Sequence, residues 1–250
     1  MRLRIMASIV IAATWLSPNQ SRAAAGLDFA WDSCLPEGGV SSKAFACNTN
    51  SGSQTIWGSF VLAADQPNFV GIDAVVDVQT QSDSLPDWWQ LYNSGACRST
   101  ALSAAFDFTA APDTACRDPW NGQGGGGLTG YHTYWTNPQV LSGNPNASQI
   151  KLAFAFPSTS PESLKAGVEY YAFKLLLSAT KSTGTGSCAG CSTPACITFS
   201  ELKVTQLDGT LEDLTVPISS NTVLWQTSTP CGAPSLPLRT TWGQIRSLLK

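Results

Sequence analysis

Between residues 70 and 79 the chain alternates. Val70, Ile72, Ala74, Val76 and Val78 fall on one side of an extended backbone, and Asp73, Asp77 and Gln79 on the other. A period of two is the side-chain repeat of a strand with one buried face, whereas helical winding would scatter these residues around its axis. The same pattern recurs at Ile150, Leu152, Phe154 and Phe156, and at Tyr171, Phe173, Leu175 and Leu177 with Lys174 and Ser178 turned outward. Shorter candidates contain Ile56, Phe60 and Leu62, then Ala104, Phe106 and Phe108, then Val223 and Trp225. Glycine, proline, asparagine and serine punctuate the gaps, and helical periodicity is nearly missing from the body of the chain. About nine to eleven strands predict an all-β protein: an antiparallel β-sandwich of immunoglobulin-like, cohesin-like or jelly-roll topology.

Two segments depart from the simple pattern. Ile197 and Phe199 share one phase while Leu202 and Val204 share the other, so a β-bulge near Ser200 and Glu201 is needed to bring all four to the core. At the C-terminus, "TTWGQIRSLLK" offers a threonine cap followed by Trp242, Ile245, Leu248 and Leu249 on one helical face, which predicts a short helix.

The N-terminus predicts the compartment. Arg2 and Arg4 precede an apolar run from Ile5 to Leu16, and Ala23 and Ala25 fit the small-residue rule for cleavage, so residues 1–25 read as a secretory signal peptide. The run is too short to span a bilayer comfortably. Residues 26–230 are then expected to form a single β-sandwich domain and residues 231–250 a C-terminal tail. Removing Arg2, Arg4 and Arg22 leaves eleven basic residues against 17 acidic ones, a net charge of −6. That balance argues against nucleic acid as a partner, because phosphate binding needs a basic footprint.

Eight cysteines in an exported chain read most simply as four disulfides among Cys34, Cys47, Cys97, Cys116, Cys188, Cys191, Cys196 and Cys231. Sequence proximity favours Cys34 with Cys47 and Cys97 with Cys116. The last four allow three pairings, with Cys231 the distant partner of one thiol in "CAGCSTPAC". That motif invites other readings. Zinc would need a second pair of ligands, which only Cys196, Cys231 or the lone His132 could supply. A redox couple needs its first cysteine at a helix N-terminus, but here a Gly/Ser/Thr loop leads into a strand. No metal or cofactor is expected.

Hydrolytic chemistry finds little support. There is no G-x-S-x-G elbow, and any triad would depend on His132 in "GYHTYW", which reads as a strand following the glycine-rich loop "NGQGGGGLTG". Asp73 and Asp77 share a strand face about 13 Å apart, too far for a glycosidase pair by themselves, and Asp83 and Asp87 fall in the following loop. The aromatic residues point elsewhere. Trp88 and Trp89 are adjacent in "LPDWWQ", so on a strand one would be core and the other exposed; Trp120 is followed by Asn121, Gly122 and Gln123. An exposed indole beside amides and carboxylates is how a β-sandwich stacks a sugar ring. These three tryptophans are therefore the expected ligand-binding residues.

The runs "GLDFAWDSC", "LPDWWQ", "EYYAFKLLLSATKSTGTGSCAGCSTPACI" and "TWGQIRSLLK" resemble an uncharacterised family of exported bacterial disulfide-containing β-sandwich proteins with a TWGxIRSL-type tail. The resemblance covers most of the chain after the signal peptide and implies export and a single domain. It carries no established activity, so no residue role comes with it. The expected function is a secreted, non-enzymatic binding module for an extracellular ligand such as a glycan or other cell-surface component. The alternatives are a structural or surface-assembly protein acting through its tail, and an extracellular hydrolase using paired carboxylates.

Overall fold

In the computed structural model, which describes residues 24–92, 94–133, 144–155, 159 and 161–231, the alternating segment becomes part of the longest strand. The strands are β1 (Gly26–Trp31), β2 (Ser42–Lys43), β3 (Ser53–Val61), β4 (Gln66–Thr80), β5 (Leu102–Ala105), β6 (Cys116–Arg117), β7 (Gly125–Thr133), β8 (Ala147–Ala155), β9 (Glu162–Leu164), β10 (Glu169–Ser178), β11 (Ala195–Gln206), β12 (Leu211–Leu214) and β13 (Thr222–Trp225). They form two sheets. Sheet A runs β1-β3-β10-β5 with β6 attached to β10; sheet B runs β2-β13-β11-β4-β8-β7, with β12 on β11 and β9 on β4. The main ladders are antiparallel, and two short ones, β6 with β10 and β2 with β13, are parallel. The expected signal peptide and C-terminal helix lie outside the described residues, as does Phe156.

Ile72, Ala74, Val76 and Val78 of β4 are buried, and Asp73 is exposed on the opposite face. The phase changes at Val70: Thr205 pairs with Gly71 but Gln206 pairs with Phe69, so the extra residue turns Phe69 inward and leaves Val70 half-buried. The expected bulge in β11 is present. Phe199 pairs with Val76 and Glu201 with Val75, which leaves Ser200 unpaired in the ladder, its hydroxyl donating to the Val75 carbonyl at 3.1 Å. Ile197, Phe199, Leu202 and Val204 are all buried as a result.

The sheets meet through interlocked aromatic rings. Phe29 and Phe173 from sheet A approach Phe199 from sheet B, with centroids 5.7 and 4.9 Å away. Gly58 makes room for this contact, since a Cβ there would sit 2.9 Å from the Phe173 ring. Phe106 and Phe108, expected on a strand, follow β5 instead. Phe108 crosses to the outer face of sheet A and stacks on Tyr171 at 4.7 Å.

The glycine-rich segment is a strand rather than the flexible loop that its composition suggests. Gly125, Gly126 and Gly127 pair with Ala155, Phe154 and Ala153. At Gly126 a Cβ would lie 2.1 Å from the Ala153 carbonyl oxygen, and φ is +138°, so only glycine permits this approach of the two backbones.

Candidate functional site

The three expected ligand-binding tryptophans do not form a surface patch. Residues Asp87–Trp89 make a single 3-10 turn, which removes the strand-like separation of the neighbouring indoles and turns both inward. Trp88 and Trp89 pack on Trp225 with centroids 4.8 and 5.4 Å away, and Trp88 Nε1 donates to Ser182 Oγ at 3.0 Å. Trp120 lies elsewhere in the core, 5.2 Å from Phe69, and donates from Nε1 to the Ala172 carbonyl. All three are at most 1% exposed, so the expectation of an exposed stacking platform at these residues is corrected. The polar residues after Trp120 gave the misleading signal. They belong to a turn that lies outside while the indole itself points in.

The cysteines pair as Cys34–Cys116, Cys47–Cys191, Cys97–Cys188 and Cys196–Cys231, with no free thiol. Cys231 is indeed the distant partner of one thiol in "CAGCSTPAC". The two short-range pairings expected from sequence, Cys34 with Cys47 and Cys97 with Cys116, are corrected. The sandwich brings the ends of sequence-distant strands together, so three of the bridges span 82 to 144 residues.

Arg98 anchors this stapled end and is itself only 1% exposed. It donates to the carbonyls of Thr180 and Trp88 at 2.9 and 2.8 Å and to that of Ser178, and its guanidinium lies 3.6 Å from the centroid of a Trp88 ring. Burial pulls its pKa down to about 10, which leaves it a cation at neutral pH.

Carboxylates converge under the loops that cover sheet A. Glu37 Oε1 accepts the amides of Thr114, Ala115 and Cys116 at 3.0 to 3.2 Å, and Tyr171 donates its hydroxyl to Oε2 at 2.5 Å. Desolvation alone would raise the Glu37 pKa; the hydrogen bonds from Tyr171 and the three amides outweigh it and hold the carboxyl at about 2. Glu169 is pushed the other way by burial, with a bond from Ser59 opposing and the charges of Asp28 and Glu37 adding. Its carboxylate is close to the Cys34 and Cys116 sulfurs, which are already bonded to each other. The hydrogen bonds to Glu37 tie it into anchoring the loop at Thr114–Cys116. Because the folded-state pKa of Glu37 is depressed, its contribution is complete above about pH 4.5 and is lost as pH falls toward 2. Glu37→Gln is expected to cost about 1–2 kcal/mol at pH 7, discounted for solvent screening, and to flatten the acid limb of a stability-against-pH series followed by urea unfolding.

An open recess lies on the other side of the molecule. On the outer face of sheet B a trough of about 430 Å³ is lined by residues of β4, β7 and β8 and by Thr205 of β11. Its floor is nearly free of side chains. Across the ladders Gly125, Ala155, Gly71 and Thr205 form one row, and Gly127, Ala153, Asp73 and Lys203 the next. Paired residues share a face of a sheet, so this part of sheet B presents backbone and methyl groups to solvent. Leu211, opposite Thr205 and 57% exposed, continues the first row. Gly71 is required by the fold, because a Cβ there would meet the Phe154 carbonyl oxygen at 2.8 Å. Gly125 is not, since a Cβ there would meet nothing within 4 Å. Polar groups are sparse: Thr129, Thr205 and Asp73, the only carboxylate among the lining residues. His132 is exposed on the same face, opposite Gln149.

No protein-family model matches the chain. No curated protein sequence matches it either. Among solved structures the chain is similar to type II cohesin modules of Acetivibrio cellulolyticus. The second type II cohesin module of the cellulosomal adaptor ScaA scaffoldin superposes with a TM-score of 0.36 at 8% identity, over 82% of this chain and 98% of that one. A type II cohesin domain from the same cellulosome gives 0.36 at 8% identity over 81% and 95%. The second ScaA module with its long C-terminal linker gives 0.32 at 10% over 75% and 82%. The sandwich arrangement described above stands on this chain's own strands.

Proposed function

We propose that the protein is an exported, non-enzymatic binding module that holds a polypeptide segment on the outer face of sheet B. The trough carries this reading. It has the volume of a modest ligand site, its floor lets another backbone approach closely, and position 125 is glycine although a Cβ there would meet nothing within 4 Å. Trp88, Trp89 and Trp120 are buried and no tryptophan is among the described residues that line the trough, which favours a polypeptide over a stacked sugar. A single carboxylate in the trough does not supply the two acids a glycosidase needs. Export is supported by the pairing of all eight cysteines, the chemistry of an oxidising compartment, and by the signal-peptide pattern of residues 1–25. Among the described residues no helix is long and apolar enough to cross a membrane.

Gly125→Trp fills the trough without a clash at Cβ, so it should block binding and leave the fold intact. Phage-displayed 12-residue peptides selected on the protein are expected to bind Gly125→Trp at least about tenfold more weakly. Failure to select any peptide, or peptides indifferent to the substitution, would defeat the proposal. A glycan array run in parallel distinguishes the ligand class: sugars whose binding Gly125→Trp abolishes would overturn the polypeptide reading.

A further inference from the structure

The trough lies on the face from which the C-terminal segment departs. Cys196 points out of sheet B, between the buried residues Ala195 and Ile197, and is paired with Gln79 and Leu224. Its partner Cys231, the last described residue, therefore rests on the outer face, with its Sγ 3.8 Å from the Gln79 carbonyl oxygen. Asp73 and Gly71, at the trough, lie six and eight residues back along the same strand, about 20 to 27 Å at strand rise.

We propose that residues 240–250 of the same chain occupy the trough. This rests on the reading of the trough as a binding surface and names its resident competitor. The connecting residues 232–239, "GAPSLPLR", contain Pro234 and Pro237. In extended polyproline geometry these eight residues span about 25 Å, the distance from Cys231 to the trough. A helix over the ten residues that follow would be about 15 Å long. The three strand spacings from β11 through β4 and β8 to β7 come to about 14 Å, so one such helix crosses the recess from Thr205 to Gly125. Its apolar face, Trp242, Ile245, Leu248 and Leu249, meets the glycine and alanine floor.

Charge agrees with this assignment. Residues 232–250 carry Arg239, Arg246 and Lys250 and no acidic residue. The trough presents exposed Asp73, and exposed Asp213 lies further along the same row. The cations nearby are Lys203, which pairs with Glu201 at 3.1 Å, and Lys151, one ladder position from the floor. Occupancy of the trough by the tail in the same molecule would lower the apparent affinity for any other segment, a self-masking arrangement released when the tail is engaged elsewhere.

Photo-cross-linking in the exported full-length chain tests this. With Ile245 replaced by p-benzoylphenylalanine, illumination at low micromolar protein is expected to give intramolecular cross-links to peptides carrying Gly125–Gly127 or Ala153–Ala155. Gly125→Trp should reduce their yield at least about tenfold. Asp73→Lys, which reverses the one carboxylate charge among the lining residues, should reduce it severalfold at low salt and less at high salt. Cross-links mapping elsewhere, or insensitive to both substitutions, would overturn the proposal. So would cross-linked dimers whose yield rises with concentration, which would identify the tail of a second copy as the occupant. The two readings fail separately. Peptide binding blocked by Gly125→Trp with tail cross-links elsewhere leaves the binding module intact and removes the tail, whereas cross-links in the trough with no peptide bound even by a chain lacking residues 240–250 do the reverse.

Discussion

Arg98→Ala is expected to lower the free energy of unfolding by about 3–5 kcal/mol, the sum of stranded buried carbonyls and a cavity. The urea midpoint measured on the oxidised protein reads this directly. The size follows from what the guanidinium holds. Three carbonyls, from Trp88, Ser178 and Thr180, lose their donor, and Trp88 loses the cation on its ring face. A buried carbonyl without a partner costs about 1–3 kcal/mol. The side-chain stem also leaves a cavity that the rigid, disulfide-linked loops cannot easily close. Against these losses stands the desolvation of the charge, which its lowered pKa records and which the substitution relieves. Arg98→Lys should recover less than half of the loss, because an ammonium on a flexible stem cannot reach three carbonyls in the fork geometry of a guanidinium. A midpoint within experimental error of wild type for Arg98→Ala would mean that the three carbonyls find other donors.

The role of Arg98 was not legible in the sequence. Nothing in "GACRST" marks a residue that binds a turn about 80 positions later, and a lone arginine is normally a surface residue. The regular features were legible because a strand's period and a bulge's phase shift are local. Ile197, Phe199, Leu202 and Val204 specify their own bulge without knowledge of any neighbour. Trp88, Trp89 and Trp120 failed for the complementary reason: exposure depends on what covers a residue, here Trp225 for the first two and Phe69 for the third. The trough was hidden twice. Its glycines read as a loop by composition, and its floor is assembled from four strands that only the sheet order brings side by side.

The same limit governs the cysteines, and it can be turned into a ranking. Chain entropy favours bridges that close long loops, and on that model the Cys47–Cys191 bridge, spanning 144 residues, contributes about 5 kcal/mol. Cys34–Cys116 and Cys97–Cys188, spanning 82 and 91, contribute about 4.5 each, and Cys196–Cys231, spanning 35, about 3.8. Replacing both members of each pair with serine and comparing urea midpoints should reproduce this order, with Cys47→Ser/Cys191→Ser the most damaging. Packing widens its lead. Trp225 donates its indole N–H to the Cys191 carbonyl at 2.6 Å and stacks on Phe45, two residues before Cys47, with centroids 4.1 Å apart. Cutting that bridge therefore frees both sides of the aromatic cluster that buries Trp88 and Trp89. If the Cys196–Cys231 pair proved the most costly to remove, the loop-length account would fail. The stabilisation would then lie in what the tail holds over sheet B, and the double serine variant should show the same loss as a chain lacking residues 240–250.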